Sequence, residues 1–289
     1  MAKIKFRNQP ISVKIFYISF VIFFALEAAL HILPSVWSIL SSLKTAEDFF
    51  ADMFALPSEW RFENYLRVFT EFKYRQYNYL DMLFNSLWEL GLKLFVSMLS
   101  SVCFAYAVAR FRFPGRDFLY ALVIFAKTIP IIGSGPAEFK LISSLGMVNN
   151  PALIWLAWAG GFDFAFIVLY GTFKGISQTY SEAAKMDGAN NLFILFKIIL
   201  PQATPAIIAL AIEEAIGIWN NYGTVMIYLR EYPNLAYGLY LFSAESNYIV
   251  DSKPIYFAAI VISSIPPIVL YMANLNKILT NITTGGLKG

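Results

Sequence analysis

Long apolar runs alternate with short polar segments along the whole chain. Six runs are long enough to cross a membrane as helices, since a helix rises about 1.5 Å per residue and the hydrocarbon core of a bilayer is about 30 Å thick. Their predicted bounds are residues 15–40, 84–109, 118–140, 152–173, 204–228 and 255–276. The pattern therefore predicts an all-α, polytopic membrane protein with six transmembrane helices.

The third run is the least regular of the six. Its apolar part contains Lys127 and runs into a cluster of helix breakers, Pro130, Gly133, Gly135 and Pro136. A broken helix is tolerated at membrane depth where protein or a cavity covers the freed backbone groups. We therefore expect this span to be kinked or broken.

The composition agrees with a membrane protein. Of the 289 residues, 58% are hydrophobic, 17% aromatic and 14% charged, whereas soluble domains are about 45–50% apolar and about 25% charged. The polar residues form no segment that would fold as a separate soluble domain. The single cysteine, Cys103, excludes an intrachain disulfide, and its place in an apolar run predicts a small core residue.

The charges of the loops predict the orientation, because lysine and arginine are enriched in cytoplasmic loops. They cluster in residues 1–14, around the turn after the second span, in a loop of about 174–202 and in residues 277–289. The long loop 41–83 on the opposite side has five Lys or Arg and seven Asp or Glu. Residues 1–14 and 277–289 should therefore be cytoplasmic tails of a transmembrane domain, 15–276.

The N-terminus has the basic residues and apolar run with which a secretory signal begins. The run of residues 15–40 is longer than the apolar region of such a signal, which has about 7–15 residues. We expect an uncleaved first transmembrane helix.

One inter-helix segment differs from the others, SEAAKMDGANNLFILFKIILP at 181–201. Glu182 to Met186 are mostly good helix formers, and Gly188 can adopt the left-handed conformation that ends a helix. A second short helix is predicted from Asn190 to Leu200, where Pro201 ends it. The segment is expected to be a helix–turn–helix on the cytoplasmic surface, which serves either to dock another protein or as a plain amphipathic connector.

The same segment resembles the EAA loop of permease subunits of binding-protein-dependent ABC importers. The matching positions are Glu182, Ala183, Ala184, Gly188, Leu200 and Pro201. Further stretches resemble the carbohydrate-uptake group, in particular its maltose-type subunit: AYAVARFRFPGRDFL at 105–119, WNNY at 219–222 and GGLKG at 285–289. Two features depart from the family pattern, because Ser177 replaces a proline and IPIIGSGPAEFK is unusually rich in glycine.

The resemblance implies that this loop is a coupling helix, which docks in a cleft of a cytoplasmic ATPase. The residues implied in coupling are Glu182, Ala183, Ala184, Asp187, Gly188 and Pro201, and those implied in a tail contact with the ATPase are Gly285, Gly286 and Lys288. The chain would be a permease subunit and not an enzyme. It would move a carbohydrate, with an oligosaccharide favoured, across a prokaryotic cytoplasmic membrane by alternating access.

The resemblance also implies the partners. These are a second permease subunit in a heterodimer, two ATPase subunits, an extracytoplasmic solute-binding protein, the carbohydrate and membrane lipid, with no nucleic acid. ATP and Mg would bind to the ATPase subunits, and this chain would bind no cofactor. In agreement, the sequence has no G-x-x-x-x-G-K-[ST] phosphate loop, and its single histidine, His31, offers no zinc cluster.

Ionisable residues within the predicted spans leave other functions open. Glu27 and His31 lie in the first span, and Glu213 and Glu214 lie in the fifth. They either form the proton relay of a self-contained secondary transporter or face a partner subunit, a water-filled cavity or the interface. Lys127 either meets an anionic substrate or extends toward the interface. A permease for another class of solute is the remaining alternative.

Trp219, Asn220 and Tyr222 are the candidate residues of the substrate path, since aromatic rings can stack on sugar rings. Alternatively, Trp and Tyr at the end of a span anchor it in the membrane interface. Glu89 and Lys93 are four residues apart in the favourable order, which predicts a local ion pair.

Overall fold

The computed structural model describes the backbone of residues 10–129, 133–245 and 252–285, and the side chains of these residues except 245 and 276–285. The first elements are α1 (Ile11–Ser42), α2 (Ala46–Ala51), α3 (Asn64–Glu71), β1 (Lys73–Tyr74), β2 (Tyr77–Asn78), α4 (Tyr79–Arg110), α5 (Arg116–Thr128) and α6 (Gly135–Ser144). There follow α7 (Trp155–Trp158), α8 (Phe164–Gly175), α9 (Gln178–Met186), α10 (Asn191–Ile194), a π-helical turn (Leu195–Ile199), α11 (Leu200–Trp219), α12 (Gly223–Tyr228), α13 (Leu235–Glu245) and α14 (Ser252–Gly285).

Within the part of the chain that the structure describes, four helical segments are long and apolar enough to cross a membrane. They are Ile11–Ser42, Tyr79–Arg110, Asn191–Trp219 and Ser252–Leu275. Two shorter apolar helices, Phe164–Gly175 and Leu235–Ala244, accompany them. The largely helical, membrane-spanning architecture is thus confirmed, while the count of six spans stays a prediction.

The third and fourth predicted spans are each divided. The third contains α5 and α6, and between them Gly133 has a φ of +93°. The fourth was expected as one helix over 152–173, but α7 is short and α8 begins only at Phe164. Gly161, with a φ of +68°, turns the chain between them. Asp163 then starts α8, because its side chain accepts a hydrogen bond from the amide of Phe166 at 2.9 Å.

The described residues divide into two compact units. One lies within Met1–Phe72 and Phe242–Ser263, and the other within Lys73–Leu241 and Ser264–Gly289. In the first unit, Trp37 packs edge-on against Phe257 with 4.9 Å between the ring centroids, and Phe72 stacks on Phe242 at 4.6 Å. Aromatic packing of this kind gives the unit its small core.

A buried asparagine joins the end of α1 to α3 in the first unit. Asn64 is 2% exposed, and its Nδ2 donates to the carbonyl oxygens of Ser42 at 2.9 Å and Lys44 at 3.0 Å. The chain thus turns at the end of α1 without leaving these carbonyl groups unpaired.

The second unit is built on α4, which packs against α8 and α11. Asn78 and Asp81 form a capping box at the start of α4, after the short β1–β2 hairpin. Phe166, Leu169 and Phe173 of α8 are fully buried in its core. Cys103 of α4 is exposed, so its prediction as a core residue is wrong. It lies on a face of α4 that the described residues do not cover.

Asn64→Ala should lower the free energy of unfolding by about 1–3 kcal/mol, because it leaves two buried carbonyl groups without a donor. The midpoint of thermal unfolding in detergent measures the effect. Gln76→Ala is the control, since Gln76 is exposed in the turn between β1 and β2. Equal midpoints for the two variants would contradict the structural role of Asn64.

Candidate functional site

The segment resembling a coupling loop begins with a capped helix. Ser177 is the N-cap of α9, and its hydroxyl oxygen accepts a hydrogen bond from the amide of Thr179 at 3.3 Å. A proline at a helix start fixes the backbone, whereas a serine satisfies a free amide. Ser177 therefore starts the helix by a different physical means from the proline of the family pattern.

A hydrogen-bonded turn at Gly188 ends α9. The amide of Gly188 donates to the carbonyl of Lys185 at 3.0 Å, and the amide of Ala189 donates to that of Ala184 at 2.9 Å. These two bonds define a Schellman motif, which needs a left-handed residue at the position of Gly188. Its φ is +85°, as the sequence predicts. Ala184 and Ala189 are partly buried and pack against the core of the second unit.

The helix after this turn does not end at Pro201. Asn190 caps α10 by accepting a hydrogen bond from the amide of Phe193 at 2.8 Å. The helix continues through the π turn into α11, so the predicted stop at Pro201 is wrong. In the π turn the amide of Leu200 bonds to the carbonyl of Leu195, five residues back. This wider turn accommodates the proline, which lacks an amide hydrogen and would crowd an ordinary α-helical turn.

The loop has a buried face and an exposed apolar face. Ile194, Leu195 and Ile199 are at most 3% exposed. The exposed large apolar side chains of the loop are Tyr180, Met186, Leu192, Phe193 and Phe196, with Met186 86% exposed. Glu182, Ala183 and Asp187 are also exposed. A concentration of exposed apolar side chains is typical of a surface that binds another protein.

A polar contact ties this loop to the end of α4. The Tyr106 hydroxyl donates to the carbonyl of Asn191 at 3.2 Å. Tyr106 lies in the last turns of α4, so the start of α10 is fixed to that end of the membrane-spanning helix.

The structure describes some of the other predicted site residues but not all of them. Gly285 is the last residue of α14, whereas Gly286 and Lys288 lie outside the described residues. Trp219 is only 7% exposed at the end of α11, and Tyr222 is 42% exposed. Asn220 is exposed and donates to the carbonyl of Ile216 at 2.9 Å. Contact of these residues with a substrate stays a prediction.

Tyr222 nevertheless has the geometry of an exposed aromatic surface. Its ring stacks on that of Tyr240, with 4.8 Å between the centroids and 9° between the planes. Tyr240 is 47% exposed and was not singled out from the sequence.

A stripe of polar residues runs along one side of α4. Glu89, Lys93, Ser97 and Ser101 follow one another at intervals of four residues, which places them on one helix face. We call them the α4 polar stripe. Ser97 donates to a carboxylate oxygen of Glu214 on α11. Ser101 donates to the carboxylate of Asp163, at 2.9 Å from Oδ1.

The other two members of the α4 polar stripe do not form the predicted ion pair. Asn234 donates from Nδ2 to Glu89 Oε2 at 2.8 Å. The Lys93 ammonium lies over the ring of Trp158, 5.6 Å from its centroid, a cation–π contact. Among the described residues no ion pair joins Lys93 to Glu89, so the two interact only at longer range.

The sequence reasoning missed Ser97, Ser101, Asp163 and Asn234. The four-residue interval that extends from Glu89 and Lys93 to the two serines was a usable signal. Asp163 precedes the apolar run of α8 and so had the signal of a helix N-cap, but nothing indicated its bond to Ser101. Asn234 had no signal for its bond to Glu89, which lies 145 residues away.

The remaining ionisable candidates lie apart from this stripe or at its edge. Glu27 and His31 share a face of α1, where His31 Nδ1 lies 2.7 Å from the Glu27 carbonyl oxygen, and both side chains are exposed. Glu213 and Lys127 are exposed, whereas Glu214 is half-buried. Among the described residues, no group of three or more His, Cys, Asp or Glu side chains could hold a metal ion.

Comparison with known families gives one match over most of the chain. The family model described as "binding-protein-dependent transport system inner membrane component" matches residues 101–279. The matched region contains the loop at α9 and α10 and most of the second unit.

Individual relatives match over a longer stretch. The diacetylchitobiose uptake system permease protein NgcG of Streptomyces coelicolor is 29% identical over 263 residues, which cover 90% of this chain and 85% of the relative. The trehalose/maltose transport system permease protein MalG of Thermococcus litoralis is 27% identical over 269 residues, covering 91% and 94%. A chain from a bacterial ABC transporter involved in the import of the acidic polysaccharide alginate superposes with a TM-score of 0.79 at 26% identity, covering 93% of this chain and 98% of that chain.

Ser97→Ala should lower the free energy of unfolding by about 0.5–1.5 kcal/mol, because the half-buried Glu214 carboxylate loses its donor. Ser100→Ala is a matched control on the same helix, since the Ser100 hydroxyl bonds only to the carbonyl of Val96. Unfolding midpoints in detergent compare the two variants.

Adding Glu214→Met to Ser97→Ala should restore most of the loss, since both polar partners are then removed. If Ser97→Ala were no less stable than Ser100→Ala, the hydrogen bond between α4 and α11 would not contribute to stability.

Proposed function

The chain belongs to the family of binding-protein-dependent transport system inner membrane components, and from that premise we propose that it is a membrane-spanning permease subunit that couples ATP hydrolysis on a separate ATPase to the import of an oligosaccharide. The family is that of ABC importer permeases for sugar uptake, which are multi-pass proteins of the inner membrane. The observation on which the coupling rests is the exposed loop of α9 and α10 with its left-handed turn at Gly188.

An oligosaccharide substrate is supported by what the relatives are named for. One is named for uptake of diacetylchitobiose, another for trehalose and maltose, and the superposed structure for import of alginate. These are all short or long carbohydrate chains, although they differ in charge and linkage. A sugar oligomer is therefore the substrate class that fits best.

The loop is suited to transmit motion because it is continuous with a membrane-spanning helix. Asn191–Trp219 is one helical segment of 29 residues, and at about 1.5 Å per residue it is about 43 Å long. Glu214 on this segment is bonded to Ser97 on α4, and Tyr106 on α4 is bonded to Asn191 at the segment's start. A displacement of the docked loop would thus move α11 and α4 together.

The ATPase would bind the exposed face of the loop, with Glu182 and Asp187 among the exposed apolar side chains. ATP and Mg would bind to the ATPase and not to this chain. A second permease subunit would complete the path, two ATPase subunits would drive it, and an extracytoplasmic solute-binding protein would deliver the sugar. Alternating access by such an assembly requires two packings of the spans, which the docked loops would bias. Membership of the family favours this mechanism over a self-contained secondary transporter.

The proposed topology puts the loop of α9 and α10 in the cytoplasm and the β1–β2 turn outside. In a Cys103→Ser background, Gln76→Cys should react with a membrane-impermeant thiol reagent in intact spheroplasts. Met186→Cys, in a permease pair expressed without its ATPase, should react only after permeabilisation, although Met186 is 86% exposed on this chain. Labelling of Met186→Cys from outside would reverse the orientation and remove the basis for ATPase docking.

Gly188→Val and Glu182→Lys should both abolish substrate-stimulated ATP hydrolysis and uptake in proteoliposomes. Gly188 has a φ of +85°, so a β-branched residue costs about 1–2 kcal/mol locally and displaces the docking helix. Glu182→Lys leaves the helix intact but adds repulsion to a contact that we expect to involve a basic or hydrogen-bonding group.

Gly175→Val is the matched control for Gly188→Val. A Cβ at either glycine has no atom within 4 Å, but only Gly188 has a positive φ. Gly175→Val should retain activity. Full coupled activity of both loop variants would leave the loop as a plain amphipathic connector and refute the proposed coupling.

A further inference from the structure

A pocket between the end of α4 and the loop contains unsatisfied hydrogen-bond donors. Arg110, the last residue of α4, and Ser181, of α9, both line it. Arg110 Nε and Nη2 are buried, as is Ser181 Oγ, and none of these atoms has a hydrogen-bond partner among the described residues. Buried polar atoms in folded proteins are nearly always paired, so these three unpaired atoms require an explanation.

The unpaired atoms of Arg110 define the chemistry of the missing group. Nε and Nη2 lie on one edge of the planar guanidinium, and their two N–H bonds are parallel. This edge matches the two oxygen atoms of a carboxylate, which binds it through two hydrogen bonds. Ser181 offers a third donor in the lining of the pocket, and Lys185 adds positive charge there. The pocket is therefore built for an acidic group.

Among the described residues, no acidic side chain is bonded to Arg110. Glu182 is the one acidic residue among those lining the pocket. Its side chain is exposed, and no ion pair or hydrogen bond joins it to Arg110 in the part of the chain that the structure describes. The wall is also fixed, because the Tyr106 hydroxyl donates to the Asn191 carbonyl at 3.2 Å. Within the part of the chain that the structure describes, this edge of Arg110 is left for an acceptor from another molecule.

We infer that Arg110 and Ser181 receive an acidic side chain of the ATPase when that protein docks on the loop, an inference that rests on the proposed function. Gln178, Glu182 and Lys185 line the pocket and are exposed, so a protein docked on the loop would cover them. Once they are covered, the ion pair at Arg110 is shielded from water and strengthened. Glu182 lines the same pocket but is exposed, and we expect it to meet a basic or hydrogen-bonding group of the ATPase, so the docking surface has an acidic and a basic contact of its own.

The test uses the full importer, with the permease pair and its ATPase in detergent. The dissociation constant of the complex between the ATPase and the permease pair is measured for Arg110→Gln and for Arg110→Lys. The lysine keeps the charge but lacks the two parallel N–H groups. Both should weaken binding, Arg110→Gln by about tenfold or more, because one partner of a shielded ion pair is lost. Arg112→Gln is the matched control, as Arg112 is exposed two residues away, and it should change binding by about threefold or less.

Two further measurements identify the acceptor. Arg110→Glu should abolish ATPase binding, and one Asp→Lys or Glu→Lys substitution on the docking face of the ATPase should restore it. In a double-mutant cycle, the losses from Arg110→Gln and Glu182→Gln should add, because the two residues bind different groups. Strong coupling between them would mean that Arg110 pairs with Glu182 and would overturn the inference.

The remaining outcomes separate this inference from the proposed function. If Arg110→Gln binds the ATPase as tightly as the unmodified chain while Gly188→Val and Glu182→Lys abolish coupling, the proposed function stands and the role of Arg110 is refuted. The role is also refuted if inorganic phosphate or phosphatidylglycerol nanodiscs bind the isolated permease pair through Arg110 with ATPase affinity unchanged. If the ATPase does not bind the unmodified permease pair at all, the proposed function itself fails.

Discussion

Every backbone N–H and C=O group at membrane depth must find its hydrogen-bond partner within the protein, and this constraint shapes the whole chain. Unbroken helices meet it by themselves. Where a helix is interrupted, a side chain must replace the missing bonds. Asp163 does so at the start of α8, whereas a π turn keeps the helix continuous past Pro201. The break in the fourth span and the π turn before α11 are therefore stable features of the fold.

The side chains that satisfy these breaks also join the helices to one another. Asp163 caps α8 and accepts a bond from Ser101 of α4. Asn234 holds Glu89 and also donates to the Asn221 carbonyl at 3.1 Å, beyond the end of α11. The α4 polar stripe thus binds three other parts of the second unit through hydrogen bonds that replace contacts with water. Few such bonds are needed, since lipid offers no competing partner.

The same connections join the loop of α9 and α10 mechanically to the spans. A loop that only joined two spans could move without consequence for either. Here the segment begins with a Schellman turn at Gly188, is fixed to α4 through Tyr106, and continues without interruption to Trp219. Its apolar side chains are exposed on the outer face and buried on the inner face. The outer face is therefore the surface for a partner, and the inner face packs on the spans.

The sequence by itself determined the features that depend on neighbouring residues. The length of an apolar run predicted α1, α4 and α14, and the pattern Glu182 to Gly188 predicted a helix and its left-handed end, because span length and turn geometry are local properties. Only the tertiary structure decided what these helices bind to. Ser97 meets Glu214 across 117 residues and Asn234 meets Glu89 across 145, separations at which no local pattern constrains pairing. The same holds for the passage of the helix through Pro201, where packing against α4 and α8 outweighed a local signal to stop, and for the unpaired edge of Arg110, whose surroundings exist only once the loop is folded against α4.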